Sequence, residues 1–367
     1  MLVTIFSLAG CGHSEPFTPE DFGTDAPFDP TPPIQLTLNR GPDRRAAWLP
    51  DGSALLYSAQ FEGTRDHDVC LAVLPPAGGR QRSLSCNLTA TGDQRTESLE
   101  SAAAATDGRL AFIAASGAIG GLVPTVQELS LATVADPATR TSLLAIPYTL
   151  SGRPTHGGIS QLRWVGPNRL LYLGEAVSVL SLCDGCERDT VHSGLDAVWL
   201  DLGAGATPQI IAGTGNASGV SPGSSEDEVY YTLNGDTRVY RATLSTGSAT
   251  VVFDFAAAGI ARDVHVVGSR MTAVVGGRVH FTDHPVLGPT QFDSGGVVHV
   301  VDLSDNSDVA LSGPSDLGLY RRPQLSPAGS QVAVERYPLI IVNNTSIGGT
   351  IDTSVARAGD LYLIGQP

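Results

Sequence analysis

Short apolar runs separated by turn residues recur along this chain, and after the first few residues no helical period is sustained, which favours β-strands over helices. The clearest case is Arg44 to Ser58, RRAAWLPDGSALLYS, in which a strand ends at Trp48, Pro50, Asp51 and Gly52 follow, and a second strand runs from Ala54 to Tyr57. Proline presets φ for an early turn position, Asp bonds its own downstream backbone and Gly accepts positive φ, so the stretch predicts a β-hairpin. The pattern returns as RRPQLSPAGSQVAVE from Arg321 to Glu335, with Pro327, Ala328 and Gly329 in the places of Pro50, Asp51 and Gly52.

Between these two hairpins the unit recurs about every 55 residues, a spacing that points to propeller blades. Inner hairpins are expected at Arg44–Ser58, Ser101–Ala115, Ser160–Gly174, Gly219–Leu233, Ala261–Val275 and Arg321–Glu335, each followed by a third and a fourth strand. The last unit stops after a third strand, DLYLIG (Asp360 to Gly365), and Ile34 to Asn39 precedes the first unit as a strand with no blade of its own. Lending that strand to the last unit removes the exposed edges that invite aggregation. The expected fold is therefore all-β, a closed six-bladed β-propeller of four-stranded blades over residues 34–367, with its last blade completed by the N-terminal strand. A seventh blade hidden after Arg278 is the competing count.

Composition agrees with strands and turns. Of 367 residues, 42 are Gly and 24 Pro, and only 16% are charged. The formal charge of −15 argues against wholesale binding to nucleic acid or anionic lipid. All 22 basic residues are arginine, as expected of a GC-rich genome.

Residues 1–11 form a short apolar run closed by Leu8, Ala9, Gly10 and Cys11, too short for a membrane span and shaped like a signal peptide. The LAGC sequence resembles the lipobox of bacterial lipoproteins, which implies acylation of Cys11. Gly12 offers no inner-membrane retention aspartate, so the resemblance implies an outer-membrane lipoprotein, periplasmic or surface-exposed. Residues 12–33 are rich in Pro and acid and are expected to form a disordered tether. The W-x-P-D-G hairpin followed by L-L-Y-S resembles the repeat of TolB-type six-bladed propellers, relatives of the WD-repeat-like bacterial propellers. That resemblance implies an envelope binding module, without the N-terminal α/β domain of the TolB type.

Candidate chemistry is sparse. Arg44, Arg45, Arg95, Arg153, Arg262, Arg321 and Arg322 recur in the leads into the inner strands, with His156 nearby. Such a collar suits carboxylate or phosphate recognition; the same arginines could instead pair with acids such as Asp43, Glu97 and Glu100. Three long connections, roughly 175–194, 276–296 and 337–359, are expected on one face and mark it as a binding face. Cys70 and Cys86, and Cys183 and Cys186, read as disulfides of an exported protein. Gly219–Gly223 matches G-x-S-x-G but lacks the strand-turn-helix of a nucleophile elbow. His280, Asp283, His284 and His192 show no ligand spacing that specifies a metal. The expectation is a monomeric, non-enzymatic propeller without cofactor or metal, lipid-anchored and binding an envelope protein or glycan. The alternative is a hydrolase or lyase with a polar or metal site in the central channel.

Overall fold

The computed structural model describes residues 33–37, 43–60, 67–73, 83–85, 97–116, 126–136, 139–147, 149–150, 153–154, 159–181, 188–276, 278–284, 288–293, 296–311, 318–343, 351–355 and 359–365. Five four-stranded antiparallel blades follow one another along the chain. The first comprises Asp43–Trp48, Ala54–Gln60, His67–Val73 and Ser83–Ser85. The second comprises Glu97–Ala104, Arg109–Ser116, Val126–Thr133 and Thr141–Pro147; the third, Ser160–Val165, Arg169–Ser181, Arg188–Asp201 and Pro208–Ile210. The fourth comprises Ala217–Pro222, Glu228–Leu233, Arg238–Thr243 and Ser248–Asp254; the fifth, Ala261–Val267, Arg270–Val275, Val297–Asp302 and Ser307–Ala310.

The remaining large sheet departs from the expected six blades of four strands. It has five strands and draws on both ends of the chain: Gly318–Leu325, Val332–Asn343, Asp360–Ile364 and Ile34–Gln35 in hydrogen-bonding order, with Ile351–Val355 added beside Val332–Asn343. The cause is the length of Val332–Asn343. Its first half pairs with Asp360–Ile364 (Val332↔Ile364 to Arg336↔Asp360), and its second half pairs with Ile351–Val355 (Leu339↔Val355 to Asn343↔Ile351). We call this the terminal sheet.

Packing between sheets forms the core. Ile113 and Leu129 of the second blade meet Leu162, Leu170 and Tyr172 of the third. Val274, Val298 and Val300 of the fifth blade meet Tyr320, Val332 and Val334 of the terminal sheet. Trp48, Leu55 and Tyr57 of the first blade meet Ala333, Leu361 and Leu363 of the terminal sheet, with Leu36 among them. The second strands are continuous apolar runs buried on both faces, such as Leu110–Ala114 and Leu170–Leu173, so each one packs against the sheets on either side.

Every inner strand breaks its register once. The breaks fall between Arg44 and Ala47, Glu100 and Ala102, Ser160 and Arg163, Ala217 and Gly219, Arg262 and His265, and Arg321 and Gln324. A β-bulge bends its strand and turns backbone N–H groups away from the ladder. Arg45, Ser101, Gln161, Asp263 and Arg322 sit at the breaks with positive φ, between 42° and 56°, a conformation uncommon outside glycine. In the fourth blade the bulge brings Gly219 against the next blade: a Cβ there would lie 2.6 Å from the Val264 nitrogen and 2.7 Å from the Asp263 nitrogen. Gly219→Ala is expected to cost about 1–3 kcal/mol of unfolding free energy in a urea titration; an unchanged midpoint would show that the neighbouring backbone yields freely.

Candidate functional site at the channel

At five of the six inner strands an N–H at or just past the bulge is aimed at its neighbour, and the preceding sheet supplies the acceptor. Ser101 Oγ accepts from Leu162 N at 3.4 Å, and Gln161 Oε1 from Val220 N at 3.1 Å. Ser221 Oγ accepts from Val266 N at 2.8 Å, and Asp263 Oδ2 from Arg322 N at 3.2 Å. Glu335 Oε1 accepts from Arg45 N. Buried backbone donors require partners, and here polar side chains on the inner two strands provide them.

The most charged part of this belt joins the two ends of the chain. Glu335 is fully buried, and its Oε2 accepts from Arg322 Nη1 at 2.8 Å and from the Tyr337 hydroxyl at 3.0 Å. Asp263 Oδ1 also accepts from Gln161 Nε2 at 3.1 Å. Burial opposes the Arg322 charge, but Glu335 and Asp263 outweigh it and raise its pKa. Burial, then Glu335, pushes the Tyr337 hydroxyl far up, so it stays a donor.

Two residues beyond the bulge, five of the six inner strands present a second column: Ala47, Ala103, Arg163, His265 and Gln324. These line a cavity of about 400 Å³ where the inner strands of the five blades and the terminal sheet end. Trp48, Trp164, Pro50, Pro167 and Pro327 stand around them. The two indoles repeat one device: Trp48 Nε1 donates to Gln324 O at 3.1 Å, and Trp164 Nε1 to Ala103 O at 2.9 Å, each reaching back to the preceding sheet. His265 is buried, and its Nδ1 accepts from Leu325 N at 3.1 Å, which leaves the ring proton on Nε2. Burial, aided by the Arg163 charge, lowers its pKa to about 3, so the ring is neutral at physiological pH.

The described arginines of the expected collar take several roles. Arg45 and Arg322 meet at Glu335. Arg262 is buried and donates from Nη2 to Gly276 O at 3.1 Å. Arg44 and Arg321 are half-buried on inner strands. Arg153 lies on a small ladder, Thr149–Leu150 with Arg153–Pro154, of which only the backbone is described. Arg95, His156, Cys11, Cys86, Cys183 and Cys186 lie outside the described residues, as do residues 1–32. Cys70 sits on the third strand of the first blade, opposite Tyr57.

Ser221 of the G-x-S-x-G match lies within the inner strand Ala217–Pro222 rather than in a turn. It is fully buried, and its hydroxyl accepts from Val266 N and donates to Pro222 O at 3.1 Å. Its role is blade packing. Among the described residues no three His, Cys, Asp or Glu side chains are placed to share a metal ion.

Sequence reasoning missed Arg163, His265 and Gln324. The available signal was their common place in the repeat, two residues past each bulge, and not any local motif.

Antiparallel four-stranded blades whose inner strands share a polar axis define the chain as a β-propeller. No family model matches it, and no curated protein matches it in sequence. It is similar in structure to a gluconolactonase from Xanthomonas campestris (12% identity, 93% of this chain and 91% of that one, TM-score 0.53) and to the WD40 repeats of RRP9 (10%, 93% and 99%, 0.50). It is also similar to TolB from Acinetobacter baumannii, with 13% identity over 89% of this chain and 64% of that one and a TM-score of 0.45. At these identities the likeness is one of fold.

Proposed function

We propose that this chain is a non-enzymatic binding propeller of the bacterial cell envelope, anchored through Cys11 and the tether of residues 12–33. In this reading the terminal sheet is the sixth blade of a closed ring, since the cluster around Trp48 and the Glu335 hydrogen bonds tie it to the first blade. The partner is an envelope protein or a glycan.

One observation carries the proposal. The three long connections between second and third strands are β-ribbons that continue the blades. In the third blade the ladder runs on from Glu175↔Leu195 to Ser181↔Arg188. In the fifth, Arg278–His284 pairs with Gly288–Asp293, and in the terminal sheet Val332–Asn343 pairs with Ile351–Val355. All three leave from the same position in the blade plan, where inner strands begin, so they share one face. Connections this long in a compact domain are usually either functional or disordered, and the described strands of these three are paired in ladders. Supporting the non-enzymatic half, the buried acids Asp263 and Glu335 are already engaged by arginine, glutamine, tyrosine and backbone donors.

The test replaces Arg278–Asp293 by a short Gly-Ser turn, which removes one self-paired ribbon and no blade strand. Crosslinking in intact envelopes is expected to lose the partner while thermal stability stays unchanged; an undiminished crosslinked product would overturn the assignment of this face. Cys11→Ser is expected to move the protein from the carbonate-washed membrane fraction to the soluble one, and retention in the membrane would refute the anchor.

A further inference from the structure

The cavity at the opposite mouth of the channel has a chemistry of its own. Arg163 is 8% exposed, and its Nη1 donates to Leu162 O at 2.8 Å, whereas its Nε has no hydrogen-bond partner. No carboxylate among the described residues lies within ion-pair distance of it. The nearby acids Asp263 and Glu335 are held by other donors. Burial, and secondarily the Arg322 charge, lowers the Arg163 pKa to about 10, which leaves it cationic at neutral pH. A desolvated guanidinium with spare donors in a concave site is costly unless something supplies the missing acceptors.

The surroundings narrow what that something is. His265 offers a neutral Nε2–H beside the guanidinium, while the Gln324 amide NH₂ is turned to Pro323 O at 3.1 Å. The rest of the wall is mostly apolar, made of indole, proline, alanine, valine and leucine, with Thr106 at the rim. One cation and one neutral donor balance a single negative charge. A phosphate carries about 1.5 to 2 at neutral pH and would enter a chain whose formal charge is already −15. A cavity of about 400 Å³ holds a small organic molecule.

We propose that this cavity binds a small monocarboxylate with an aromatic or aliphatic body. The carboxylate oxygens accept from Arg163 and from His265 Nε2–H, and the body packs against Trp48 and Trp164. The site lies at the far mouth from the ribbons and stands or falls independently of the envelope partner.

Two of the chain's three tryptophans border the cavity, so indole fluorescence reports occupancy. Titrating the full chain with phenylacetate is expected to give a saturable change with a dissociation constant near or below about 1 mM. Phenylacetamide, isosteric but neutral, is expected to bind at least about tenfold more weakly, because a charge-assisted pair is lost. Inorganic phosphate should be weaker than phenylacetate. Arg163→Gln should abolish the change, and Thr106→Phe, at an exposed position on the rim, should weaken it by filling space without touching the guanidinium. No saturable change up to about 20 mM overturns the proposal. So does equal binding of the amide or of phosphate, or undiminished binding by the Thr106→Phe variant. If Arg163→Gln does not fold, the amide comparison and the Thr106 variant still decide.

Discussion

Glu335→Ala is expected to lower the unfolding free energy by about 3–5 kcal/mol, the largest polar effect expected among the described residues. The side chain is fully buried and accepts from Arg322 Nη1, the Tyr337 hydroxyl and the Arg45 backbone. Its removal strands the Arg322 guanidinium and an interblade N–H at once. The cost comes from these orphaned donors rather than from the strength of the ion pair, since a buried pair intact contributes little net stability. Glu335→Gln keeps an acceptor oxygen and should cost less than the alanine variant. Denaturant unfolding measures both; an alanine variant within about 0.5 kcal/mol of the parent would mean water replaces the carboxylate freely.

Trp48→Ala is expected to cost a similar amount, about 3–5 kcal/mol, because it empties the core between the first blade and the terminal sheet. The indole is 9% exposed and packs with Ala333, Leu361 and Leu363, and its Nε1 donates to Gln324 O. Trp48→Phe fills most of that volume but leaves the carbonyl short of a donor, so about 1–3 kcal/mol is expected. The loss should be local first. Amide exchange at Asp360–Ile364, the strand nearest the N-terminal segment, should quicken more than exchange in the fourth blade. Uniform acceleration across the blades would contradict a role for Trp48 at the chain junction.

Much of the fold is legible in the chain because its signals are local. The Pro50-Asp51-Gly52 turn, with Gly52 at a φ of 72°, and the matching Gly329 at 67° lie where the hairpin pattern put them. The pairing of Ile34–Gln35 with Asp360–Ile364 follows from a unit one strand short at one end and a spare strand at the other. The fifth strand of the terminal sheet was not legible. The sequence pattern ends this strand at Glu335 and reads roughly 337–359 as a connection, so it does not show that one long strand, Val332–Asn343, serves two partners in succession.

The polar site behaves differently. The repeated arginines were visible as a column, yet their roles were not: Arg45 contributes its backbone N–H and Arg322 its guanidinium to one carboxylate, while Arg262 turns to a carbonyl within its own blade. Ser221 shows the same limit, since a motif with a hydroxyl in it reads alike whether that hydroxyl is exposed or spent on Val266 N.

By itself, then, the sequence determines the hairpins, the repeat and the joining of the two ends, all of which rest on turn chemistry and on a unit that recurs about every 55 residues. Only the tertiary structure decides that every inner strand bulges, that Glu335 and Asp263 receive the donors those bulges free, and that Arg163, His265 and Gln324 line one cavity. These residues lie in different units, roughly 60 to 160 positions apart in the chain. Alternation says which face of a strand a residue occupies. Distance across the axis is set by how twisted blades pack, and no local pattern encodes it.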